Sequence, residues 1–225
     1  MFIDRVILDF DHTIFDADDF KVAMATSLRP MGVTEELFWG TYRHARDKSD
    51  GDFSYRPEKH VALMAERVAL DQAAAVAALE HVVSRSEEFL YQDAKDFLSR
   101  LISLGVPVTL LTKGDPTFQK AKIAACRISG MVGEVIVTDE KKATVIPSLL
   151  KDGTGSVYFV NDHLDETVEV RKIDPVRIIP IMKRRPDQAP ERYLGLRMLN
   201  FRTLSEIRDY LTIVHATHPH YGDES

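Results

Sequence analysis

Val6-Ile7-Leu8-Asp9-Phe10-Asp11-His12-Thr13 is the stretch whose reading decides the fold. Three apolar residues make a short buried strand, and polarity then returns at once, with carboxylates at i and i+2 and a Thr two residues on. In an open parallel sheet, ligands sit outside the carboxyl ends of the strands. Asp9 and Asp11 therefore fall where chemistry is expected. Two acids this close repel, and a bound divalent cation is the usual way to hold them together.

Outward from this stretch, strand-like and helix-like patterns alternate after residue 90. Phe97, Leu98, Leu101 and Ile102 form a helical stripe ended by Gly105, and Val106 to Leu111 reads as a buried strand. Asp115-Pro116 is a helix start, with Asp as N-cap and Pro in the first turn. Val135–Val137 and Val157–Val160 read as strands, with a helix carrying Ile146, Leu149 and Leu150 between them. A helix over Leu164–Arg171 leads to a strand over Val176–Ile179. Thr203-Leu204-Ser205-Glu206 is a capping box opening the last helix. Alternation with continuous apolar strands predicts an α/β fold, a Rossmann-like, doubly wound parallel sheet.

The stretch from about Asp16 to Tyr91 is helix-like throughout, with Val61, Met64 and Val68, and Val76, Leu79 and Val83, at helical spacing. It is several times longer than a crossover helix needs. It therefore reads as an inserted all-helical subdomain, and because it leaves straight after Asp11 it can cover the acids like a lid. The expected division is a core of residues 1–15 and 92–215, a helical cap of 16–91 and a C-terminal tail of 216–225.

Composition bounds the function. The 225 residues are 44% hydrophobic and 28% charged, ordinary values for a globular protein. A net charge of -6 with no long basic run argues against nucleic acid or an anionic membrane as partner. The single cysteine, Cys126, excludes an intrachain disulfide and reads as a small buried hydrophobe. No apolar run is long enough to span a membrane, and no signal-peptide pattern is seen, so a cytoplasmic location is expected.

Further polar groups stand at the ends of later strands: Thr112-Lys113-Gly114, then Lys141-Lys142, then Asp162 with Glu166 four residues on. Acids suit a hard cation, for which oxygen ligands are required. The Thr112 hydroxyl and the amides of Lys113 and Gly114 can donate to phosphate oxygens, and a Lys can neutralise a transferring group. A carboxylate can also act as a nucleophile, and a second one as general acid and base.

In this order, Asp9-x-Asp11-x-Thr13, Thr112, Lys141 or Lys142, and Asp162 with Glu166, the chain resembles the haloacid dehalogenase-like (HAD) hydrolase superfamily. The resemblance spans residues 1–15 and 92–215, and the insertion matches that family's helical cap between its first two motifs. It implies a phosphatase dependent on Mg²⁺, with an aspartyl-phosphate intermediate and a small phosphate ester as substrate. Asp9 would be nucleophile and metal ligand. Asp11 would be general acid/base and would give the metal its carbonyl. Thr112 would bind the phosphoryl group, with Lys113, Gly114 and Lys142 as substrate contacts. Lys141 is favoured over Lys142 as the stabilising lysine, and Asp162 with Glu166 would complete the metal site. Dehalogenases of the family lack the second acid, so Asp11 speaks against halide displacement. A phosphonatase would need a cap lysine, and Lys21, Lys48 and Lys59 are not marked out. A sugar-phosphate mutase and a non-catalytic phosphate-binding scaffold are the alternatives, whereas a receiver domain would carry its acceptor on the third strand.

Two departures and three side features complete the reading. His12 stands where the family usually has Gly, and is expected in a turn or at the surface. Asn161 stands in place of a Gly and is expected to take a turn conformation. Arg43 and Arg56 are candidates for a second anionic group, near the Asp50-Gly51-Asp52-Phe53 loop. Lys183-Arg184-Arg185 reads as a surface loop, and His215, His218 and His220 as a frayed tail. A monomer or a homodimer is expected.

Overall fold

A computed structural model describes residues 2–46, 54–150 and 153–218. The Asp50–Phe53 loop, Lys48 and His220 lie outside the described residues. Six parallel strands form one sheet: β1 (Ile3–Leu8), β2 (Val108–Lys113), β3 (Glu134–Thr138), β4 (Ser156–Asn161), β5 (Ile178–Lys183) and β6 (Leu199–Phe201), in the order β3-β2-β1-β4-β5-β6. The expected α/β class and doubly wound sheet are thus observed.

The strands are apolar on both sides because both faces are covered. Along β1, Val6 and Leu8 join one core while Ile7 joins the other; along β4, Tyr158 and Val160 face the first and Val157 and Phe159 the second. The first core includes residues of α5 (Ala94–Ser103), α6 (Pro116–Ala125) and α9 (Leu204–Thr217), and the second residues of α7 (Lys142–Leu149) and α8 (Leu164–Arg171). The capping box forms at Thr203 and Glu206, and Asp115 caps α6 through the Thr117 and Phe118 amides. Cys126 is buried.

Strand bounds differ from the sequence reading, and one strand is new. The second strand lies at Val108–Lys113, not Val106–Leu111. The fifth strand lies at Ile178–Lys183, not Val176–Ile179, and Val176 is exposed. Pro180 hides this strand, because proline reads as a strand breaker; here it lies opposite Phe159. β6, at three residues, is too short to leave a periodic signal.

Between β1 and α5 lie α1 (Ala17–Leu28), α2 (Glu35–Arg46), α3 (Pro57–Ala65) and α4 (Gln72–Ser84), packed α1 on α4, α2 on α3 and α3 on α4. Their entry and exit run side by side. The Asp16 amide donates to the Phe89 carbonyl at 2.7 Å, the Tyr91 amide donates to the Ile14 carbonyl at 3.0 Å, and Phe15 and Leu90 form an antiparallel bridge. Among the described residues, no helix is long and apolar enough to cross a membrane.

Candidate active site

β1 lies centrally, with β2 on one side and β4 on the other, so the ends of three strands meet around Asp9. The ladder carries one residue past the strand, the Asp9 amide donating to the Val160 carbonyl at 3.0 Å. The chain then curls tightly: the Phe10 carbonyl accepts from the Thr13, Ile14 and Phe15 amides, and His12 takes φ 60°. That left-handed conformation is why Gly is natural at this position and why His, one of the side chains enriched there, is tolerated. The turn role of His12 is observed, but its ring is not on the surface. It is half-buried beside Asp18, at 3.6 Å, and burial with the Arg185 and Lys21 charges pushes its pKa down to about 4.

Asp9 is buried, with Thr13 Oγ1 donating to it at 3.3 Å and Lys142 Nζ at 2.5 Å. Lys142 also reaches Glu166 at 2.9 Å. Here the expectation for the lysines is corrected. Lys142, only 3% exposed, is the first residue of α7 and points into the site. Lys141, one residue earlier and 69% exposed, points out to Glu169 at 3.2 Å. One step at a helix start turns a side chain by about 100°. Burial raises the Asp9 carboxyl to about 7, the nearby acids Asp162 and Glu166 add to this, and the Lys142 ammonium opposes it. Lys142 in turn is held charged by the two acids against its own burial.

Asp11 is occupied on both oxygens. Lys122 Nζ lies 2.6 Å from Oδ1 and Gln119 Nε2 donates to Oδ2 at 2.8 Å. Burial alone would raise this carboxyl; the Lys122 charge and the two hydrogen bonds hold it below the usual range. Gln119 and Lys122 were absent from the sequence reading. The signal was there: counted from the Asp115 cap, the two fall on one face of α6.

Asp162 sits after β4 and pairs with Arg185 at 3.6 Å; burial raises it to about 6, against the Lys142 and Arg185 charges. Arg185 is therefore not a plain surface-loop residue: it also reaches Asp18 of α1 at 3.0 Å. Lys183 is likewise buried, its amine 4.2 Å from the Tyr91 ring centroid. Asn161 is not in a left-handed turn; its amide braces Glu166 at 2.9 Å and Thr167 at 3.2 Å. His163 caps α8.

Thr112 ends inside the site and meets Gln119 at 3.4 Å. Lys113 lines the same cavity, but the Gly114 amide, expected to face phosphate, donates to the Thr138 carbonyl at 3.1 Å. All of Asp9, Asp11, Thr112, Lys142, Asp162 and Glu166 line one cavity of about 550 Å³, roofed by Phe20, Met24 and Tyr42 from α1 and α2. A larger cavity, about 830 Å³, opens around Arg56, Lys59 and Phe118 and holds none of those six residues. Arg56 is engaged with Asp115 at 2.8 Å, and Arg43 is exposed and lines neither cavity.

Among the described residues, no group of three or more His, Cys, Asp and Glu side chains is spaced to hold a metal ion. Mg²⁺ does not require one: it keeps several waters and takes one or two carboxylates. Asp9 is a buried and Asp162 a partly buried carboxylate, both raised by burial, which is the donor chemistry that fits a hard cation. The Asp11 carboxylate is taken by Lys122 and Gln119, and Glu166 shares the Lys142 ammonium with Asp9.

No family model matches the chain, and no curated protein matches it. Solved structures do. A Burkholderia xenovorans LB400 protein described as a haloacid dehalogenase-like hydrolase aligns over 93% of this chain and 96% of its own at 16% identity, with TM-score 0.72. The HAD-hydrolase YfnB from Bacillus subtilis, bound to magnesium, aligns over 94% and 99% at 13% identity, TM-score 0.63. L-2-haloacid dehalogenase from Xanthobacter autotrophicus, with chloropropionic acid covalently bound, aligns over 93% and 98% at 14% identity, TM-score 0.64. The chain has the HAD-like hydrolase fold.

Proposed function

We propose that this protein is a Mg²⁺-dependent phosphomonoesterase acting on a small phosphorylated metabolite through an aspartyl-phosphate at Asp9. The observation that carries the reading is the second acid: Asp11 lines the same cavity as Asp9, Thr112 and Lys142. Halide displacement needs one carboxylate. Transfer from a phosphate ester needs another group to handle the proton on the departing oxygen.

The ester binds as its monoanion and passes its proton to the ionised Asp11; Asp9 then attacks phosphorus, and the bond from phosphorus to the departing oxygen breaks as that oxygen takes this proton from Asp11. Water then attacks the acyl phosphate, giving its proton to Asp11 and freeing Asp9 and phosphate. Lys142 favours the ionised form of Asp9 against its burial and neutralises the transferring group, and the Thr112 hydroxyl donates to a phosphoryl oxygen. Asp9 and Asp162, with the Asp11 carbonyl, would hold Mg²⁺, which supplies charge neutralisation when bound. Phe20, Met24 and Tyr42 set an aromatic and apolar roof over the reacting groups.

The test is a screen of phosphorylated metabolites with and without Mg²⁺, with Asp9→Asn as control. Phosphate release that needs both Mg²⁺ and Asp9 is expected. Chloride release from 2-chloropropionic acid with no phosphate release would replace the reading by a dehalogenase, and full activity of Asp9→Asn would remove the nucleophile assignment.

A further inference from the structure

Lys122 is a buried cation that the reaction above does not use. It is 3% exposed, and its amine lies 4.6 Å from the Phe15 ring centroid, 5.1 Å from Phe10, 5.2 Å from Phe20 and 5.6 Å from Phe118. Four aromatic faces around one ammonium fix it by their quadrupoles. A buried ion pair is no general source of stability, because desolvation offsets its attraction. The placement therefore asks for another explanation.

Gln119 supplies the second half of the arrangement. It is 4% exposed, and its amide nitrogen reaches Asp11 Oδ2 at 2.8 Å, the Lys113 carbonyl at 3.1 Å and Thr112 Oγ1 at 3.4 Å. Its own seat is defined by Gly114, where an added Cβ would stand 3.0 Å from the Gln119 Cγ, at φ 148°. Helix α6 thus presents a cation and an amide, three residues apart, one to each oxygen of Asp11. A carboxylate oxygen has two lone-pair sites, so one donor on each leaves the other directions open for a reacting oxygen.

We propose that Gln119 and Lys122 are positioning residues that fix the Asp11 carboxylate for proton transfer at the departing oxygen; the proposal rests on the phosphatase reading. Lys122 neither donates nor takes the proton. It restricts Asp11 to one orientation, which oriented proton transfer requires.

Leaving-group dependence separates this role from a structural one. An alkyl oxygen must be protonated as it departs, whereas p-nitrophenolate leaves with little help. In Lys122→Met, which keeps the length and apolar contact of the stem, turnover of glycerol 2-phosphate should fall at least about tenfold further than turnover of p-nitrophenyl phosphate, out of the 10²–10⁴ that general acid–base catalysis contributes. Gln119→Met should shift the ratio the same way by less, and it decides the matter if Lys122→Met does not fold. A parallel fall on both substrates, or an unchanged ratio, overturns the positioning role. Failure of the wild type to hydrolyse either ester overturns the phosphatase reading itself, and the proposal with it.

Discussion

At the residue scale, the two adjacent lysines give the sharpest contrast. Lys142→Met removes the ammonium that sits on Asp9 and Glu166 and leaves the buried Asp9 carboxylate without its cation. Loss of one partner of such a pair costs about 3–5 kcal/mol. Asp9, already raised by burial, then loses the charge that opposes the shift, so the penalty should be full at pH 8 and shrink as pH falls and Asp9 protonates. Lys141→Ala removes an exposed pair worth about 0–1 kcal/mol and should leave both stability and turnover near wild type. Urea melts of the two variants at pH 5.5 and 8 check this. His12 offers a second contrast. A β-branched side chain at its φ of 60° is strained, so His12→Val should cost about 1–2 kcal/mol, whereas His12→Gly should stay within about 1 kcal/mol of wild type.

Sequence alone carried the order of acids, Thr and Lys, because each follows a strand and strands announce themselves by apolar runs. It did not carry the choice between Lys141 and Lys142, since a helix start leaves rotation undetermined until the first turn is placed. Arg185 was out of reach for another reason: it meets Asp162 and Asp18 only through tertiary folding, across long stretches of chain.

At the element scale, the helices over 17–84 hold a polar knot of their own. His60 is fully buried, with Thr41 Oγ1 at 2.9 Å and the Phe38 carbonyl at 3.1 Å from Nε2, and the Tyr55 hydroxyl at 3.0 Å from Nδ1. Burial pushes its pKa from 6.5 to about 4, the Phe38 carbonyl opposing. The folded state thus keeps His60 neutral while the unfolded state takes a proton below 6.5. Its contribution is present above that pH and is lost as pH falls toward 4, amounting to about 3 kcal/mol at most. Trp39, the one tryptophan, stacks edge-on against Phe38 beside this knot. Its fluorescence in urea melts should report falling stability from pH 6.5 to 4.5, and His60→Gln should flatten that slope. Helical periodicity made these helices legible, but no periodic signal marks a histidine as the hub of three polar partners.

At the scale of the whole molecule, the helices meet the sheet along a seam with two kinds of contact. Phe118 of α6 packs at 5.0 Å on Tyr55 and 6.2 Å on Phe20, and Arg56 reaches Asp115 beside it. Arg56 is largely exposed, so Arg56→Ala should cost about 0–1 kcal/mol. Asp115→Ala also removes the cap of α6 and should cost about 1–2 kcal/mol more. Thermal melts of the two single variants and the double distinguish an ion-pair seam from a capped helix held by aromatic packing.

The side-by-side segments at residues 14–16 and 89–91 have an engineering consequence. Chain leaves the sheet and returns to it through one pair of backbone hydrogen bonds, so the two cut points are neighbours in space. Everything between them can be exchanged for another helical unit without changing the spacing that the sheet has to bridge. The helical unit and the strand-end carboxylates are thereby separate parts, one joined at a narrow neck and the other fixed at the ends of β1, β2 and β4.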